Sequence, residues 1–70
     1  MTRYAIVIEK GDNNYSAYAP DVLGCGVTGQ TIDEVRATLA EALASHFELL
    51  RESGESIPEA ISIADYVEVL

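Results

Sequence analysis

Apolar residues alternate from the start of the chain. Over residues 4–9, Tyr4, Ile6 and Ile8 point to one side and Ala5 and Val7 to the other, the two-residue period of a β-strand. Both sides are mostly apolar, which suits a central strand covered on each face better than an exposed edge. Gly11, Asp12, Asn13 and Asn14 then supply turn chemistry, because Gly and Asn tolerate positive φ. Residues 15–19 read as a second strand, antiparallel to the first in a hairpin. Pro20 ends it, having no amide hydrogen to give to a ladder. Residues 24–30 make a third strand punctuated by Gly24, Gly26 and Gly29, a composition that predicts a bulge or a close approach of backbones.

The period then lengthens to that of a helix. Over residues 32–52, Ile32, Val35, Leu39, Leu43, His46, Phe47 and Leu50 fall in one stripe, with Glu34, Thr38, Glu41, Ser45, Glu48 and Glu52 opposite, the pattern of a helix lying on a core. Thr31 and Glu34 have the spacing of a capping box, and Asp33 and Glu34 complement the positive end of the helix dipole. Gly54 is placed to stop the helix in the left-handed conformation. Pro58 holds Ile57 extended, and residues 66–70 read as a short last strand. The expected fold is α+β and two-layered: a three-stranded antiparallel meander, one long helix and a short fourth strand, in the order β-β-β-α-β. A fourth strand lying parallel within the sheet requires a right-handed crossover, and it would leave the first strand central beside it. The helix covers one sheet face. The other face keeps aromatic and apolar groups that need a cover, which favours self-association.

Size sharpens that expectation. Seventy residues make one domain, and a core this small only narrowly offsets chain entropy. The single cysteine, Cys25, allows no internal disulfide. Packing must be dense or a partner chain must complete the core, so a homo-oligomer, dimer or higher, is expected. Twelve acidic against four basic side chains give a net charge of −8. That field disfavours nucleic acid, whose binding rests on Lys and Arg neutralising phosphates, and disfavours anionic membrane surfaces. A basic protein is the natural counterpart, although acidity also serves solubility alone. The chain shows neither a signal-peptide pattern nor the roughly 20 apolar residues of a membrane span, and reads as cytoplasmic.

Candidate chemistry is sparse. A two-metal nuclease needs convergent carboxylates, and the spacing of Glu9, Asp21 and Asp65 does not force convergence. Cys25 and His46 could pair only with a base in reach and a group to orient it, which the pattern does not supply, and two ligands fall short of a zinc site. Cys25 reads as a small buried hydrophobe and His46 as a half-buried member of the helix stripe. Gly24-Cys25-Gly26 lacks the strand-to-helix turn of a dinucleotide fingerprint. No enzyme activity, catalytic residue, cofactor or metal is expected. Tyr15 and Tyr18, three apart on a strand, point to opposite faces, one inward and one free for an interface. Asp21, just past the Pro20 bend, either caps its own turn or binds a partner.

The order of these features resembles the N-terminal domain of HicB antitoxins. Tyr18, Pro20 and Asp21 match that family's Tyr-x-Pro-Asp segment and Gly24 and Cys25 its Gly-Cys pair, and the likeness continues through Gly54, Ile57, Pro58 and Glu59. Leu23 stands where the family often has a proline. The resemblance implies a truncated ribonuclease H-like fold that binds and occludes HicA, a small basic messenger-RNA-cleaving toxin. It directs attention to Tyr15, Tyr18, Pro20 and Asp21 for toxin contact. Many HicB proteins add a helix-turn-helix or ribbon-helix-helix domain, whereas residues 1–70 read as a single HicB-like domain without a DNA-binding domain. A stand-alone oligomeric structural or ligand-binding module is the alternative.

Overall fold

The computed structural model describes residues 2–70. Its strands are β1 (Val7–Lys10), β2 (Tyr15–Tyr18) and β3 (Gly26–Gly29), followed by the helix α1 (Ile32–Glu52). The sheet runs in the order β1-β2-β3. Both pairings are antiparallel, with Val7 opposite Tyr18 and Ala17 opposite Val27. The first hairpin closes where the Gly11 amide donates to the Asn14 carbonyl at 2.8 Å.

The helix stripe meets the sheet as its periodicity dictates. Val35, Leu39 and Leu43 bury against Ala17, Ala19 and Val22, with Tyr4, Ile6, Ile8, Tyr15, Cys25, Val27 and Phe47 packed around them. Small residues on the β2 side let the helix approach closely. The tightest approach is at Gly29, where a β-carbon would lie 2.6 Å from the Glu34 carboxylate and 2.9 Å from Val35, so the expected glycine contact falls between β3 and the first turn of α1.

Both helix ends are capped. The Glu34 amide donates to the Thr31 hydroxyl oxygen at 3.0 Å. The Glu34 carboxylate accepts from the Gln30 amide, one residue earlier than the usual reciprocal box. At the other end Gly54 takes a φ of +70°, its amide donates to the Arg51 carbonyl, and the Glu55 amide donates to the Leu50 carbonyl. This paired geometry is a Schellman motif, which satisfies carbonyls the helix leaves open.

Two expectations are corrected. The short fourth strand expected at residues 66–70 is not formed; among the described residues the sheet has three strands. In consequence β1 lies at an edge of the sheet and is not central. A strand needs a ladder as well as an apolar pattern. Here the segment after α1 is carried past the end of the sheet: the Tyr4 hydroxyl donates to the Pro58 carbonyl, and Asp21 then holds Ile61 and Ser62. From Ile63 onward the chain is exposed. The radius of gyration, 13.4 Å, correspondingly exceeds the about 11 Å of a compact chain of this length.

Candidate partner-binding corner

The residues between β2 and β3 form a corner at one end of the sheet. β2 delivers Tyr18 to the outer sheet face, 43% exposed, and Tyr15 to the inner side against the core, so the two tyrosines part as their spacing requires. Pro20 follows in a turn and is exposed. Val22 folds back inward, its amide donating to the Ala19 carbonyl at 3.0 Å. That inward turn throws Leu23 outward, 90% exposed, and Gly24 absorbs the reversal with a φ of +77°.

Asp21 does not cap its own turn. One carboxylate oxygen accepts from the amides of Ile61 and Ser62, both at 2.9 Å, and the other accepts from the Ser62 hydroxyl at 2.6 Å. The Ser62 hydroxyl, the Ser62 amide and the Ile61 amide together hold the Asp21 carboxyl below the usual carboxylate range, against a smaller opposing effect of burial. The corner is therefore a joint between the β2–β3 loop and the segment following α1. It brings Tyr18, Pro20 and Asp21 together with Ile61 and Ser62, and leaves Tyr15 on the far side of the sheet. Leu23 and Ser62 went unsingled as site residues in the sequence. Leu23 stood out there only as a replacement for proline, and nothing local to Ser62 signals a bond to a residue 41 positions away.

Cys25 is half-buried and packs on the core. His46 is also half-buried, with its ring centroid 6.2 Å from that of Phe47. Among the described residues no group of three His, Cys, Asp or Glu side chains is arranged to hold a metal ion. No helix is long and apolar enough to cross a membrane.

Charge divides the surface. Residues 11–35 and 52–70 contain no Lys or Arg, so the corner and the segment bound to it carry Asp21, Glu55, Glu59, Asp65 and Glu68 and no basic residue of their own. Three of the four basic residues, Arg3, Arg36 and Arg51, instead border a groove between the segment leading into β1 and α1. Among the described residues the ion pairs are Arg36–Asp33 and Arg51–Glu48, both exposed.

An uncharacterized 14.9 kDa protein encoded in the rep–hol intergenic region of Haemophilus phage HP1 is 36% identical over 64 residues, which cover 91% of this chain and 48% of the phage protein. The chain thus spans about half the length of this curated relative. No solved structure matches it significantly. The profile of HicB-like antitoxins of bacterial toxin–antitoxin systems matches residues 4–69, almost the whole of the fold described above, and the chain belongs to that family.

Proposed function

We propose that this domain neutralises a HicA-type toxin by stoichiometric occlusion, without catalysis of its own. The observation that carries the reading is the corner without Lys or Arg, where Tyr18 and Leu23 stand exposed beside Pro20 and Asp21. Exposed aromatic and aliphatic side chains give an interface its anchors. The surrounding acids complement a cationic surface built to hold RNA and raise the rate of encounter with it. With both carboxylate oxygens engaged by residues 61 and 62, Asp21 shapes this surface and adds charge to it. The protein works in the cytoplasm, as a homo-oligomer, and touches its partner and not RNA. Tyr15, packed inward, supports the sheet from beneath.

Affinity capture of the tagged protein from its host, at low and at high salt, tests this. The expected product is a small basic protein, released more readily by salt, that arrests growth when expressed alone and is relieved by co-expression. Substituting Tyr18→Ala together with Leu23→Asp is expected to abolish the relief. Recovery of the chain alone, with toxin-like proteins shown to be present, would overturn the reading in favour of a stand-alone oligomer.

A further inference from the structure

We propose that two copies of this chain exchange residues 63–70, each lending its segment as a strand to the free edge of its partner's β1. This rests on the oligomeric reading above and specifies what completes the assembly.

Two surfaces are each incomplete alone. Ile63, Tyr66, Val67 and Val69 are all at least 87% exposed; in an extended chain Ile63, Val67 and Val69 share one face with Asp65, and Tyr66 and Leu70 share the other with Glu68. β1 has a neighbour on one side only, leaving a row of backbone donors and acceptors unladdered, which is a ready template for an added strand. The lead into β1 and its first half, residues 4–8, are apolar on both faces, suited to a covered position. Beside it lies an open groove of about 880 Å³, floored by Ile6, Leu43 and Phe47 and rimmed by Arg3, Arg36 and Arg51. The groove lies beside residues 2–6, which lead into β1, so a strand added to β1 and continued past its start would run along it.

Charge and area point to the same occupant. Residues 55–70 carry Glu55, Glu59, Asp65 and Glu68 and no Lys or Arg, whereas the groove holds three of the chain's four cations. Arg36 and Arg51 each bond one carboxylate on their own helix, and a guanidinium has further N–H donors to give. The accessible surface is 5708 Å², against the roughly 4200 Å² of a compact monomer of this mass. The excess of two copies is more than the about 1600 Å² that a stable interface buries.

The occupant comes from a second copy because of where the segment is pinned. It meets Tyr4, in the lead into β1, at Pro58. It then reaches Asp21, in the loop beyond β2, at Ile61 and Ser62. It is therefore travelling away from its own β1 edge when it leaves the body. Reciprocal exchange about a two-fold axis satisfies both copies at once.

The test combines solution mass with cross-linking in the full chain. Light scattering after size exclusion is expected to give twice the chain mass. Val67→Asp with Val69→Asp is expected to halve it while leaving the helical circular dichroism intact, since these side chains are exposed in the single chain. In a Cys25→Ser background, mixing Ala44→Cys protein with Val67→Cys protein is expected to give a disulfide-linked heterodimer. A dimer that survives the double aspartate substitution and forms no such link would overturn the exchange while leaving self-association standing. A monomer at every concentration would overturn both. A chain carrying both cysteines that links only to itself at high dilution would show the segment closing on its own groove, and would also overturn the exchange.

Discussion

An aspartate after a proline ordinarily closes its own turn, its carboxylate folding back on nearby amides. Asp21 instead grips Ile61 and Ser62 with three hydrogen bonds, tying together stretches that the sequence holds about forty residues apart. Asp21→Ala is expected to speed amide exchange at Ile61 and Ser62 several-fold while leaving the helix amides protected; Ser62→Ala, which keeps the two amide bonds, should do less. The grip also depends on pH. The carboxyl is held lower in the docked state than in the free chain, so the docked state binds fewer protons, and docking strengthens as pH rises through the interval between the two values. The contribution is full above the free-chain value, about 3.9, and is lost as pH falls through the lower docked one. Exchange at Ile61 and Ser62, corrected for its intrinsic pH dependence, is expected to accelerate only in that acid window. Gly29 is a different kind of constraint. A β-carbon there would strike Glu34 and Val35, and Gly29→Ala is expected to cost about 1–3 kcal/mol in urea unfolding, the usual range for overpacking a tight contact.

The helix was legible to its last residue, and the reason is that its signals are local. Thr31 and Gly54 bracket the 21 residues of α1, and the apolar stripe fixes which side meets the sheet. Thr31→Ala is expected to cost about 1 kcal/mol through loss of the cap, and Leu39→Ala about 2–5 kcal/mol through the cavity left in the core. Both are read as shifts of the urea midpoint. One member of the stripe, Ile32 at the first helical position, is 44% exposed. Strands are less legible because a ladder is a property of two segments. β1 begins at Val7 and not at Tyr4 because Val7 is opposite Tyr18, the last residue of β2. β3 likewise begins at Gly26, opposite Tyr18. Residues 66–70 have the right alternation, but no local signal says which edge would receive them. The candidate corner divides the same way: Tyr18 and Pro20 could be placed from strand period and proline chemistry, whereas the bond from Asp21 to Ser62 is long-range and left no trace.

Taken whole, the protein sorts its charge, with acids and no Lys or Arg in residues 52–70 and three of its four cations along one groove. Its association with a basic partner is expected to slow markedly between 0.1 M and 1 M salt, as the screening length contracts from about 10 Å to about 3 Å, with the dissociation rate changing less. The order of the sheet carries a kinetic consequence. Every ladder joins strands that are neighbours in sequence, so the body closes through short loops, the circumstance in which small domains fold fastest. Nothing in that step depends on how many copies are present. The proposed engagement of residues 63–70 with another copy is second order and slower. Refolding should therefore show a rapid phase indifferent to dilution, followed by one whose rate rises in proportion to protein concentration. The proposed exchange would make the chain a measure of its own abundance: when scarce, a finished body with its last residues exposed, and when plentiful, a sealed pair.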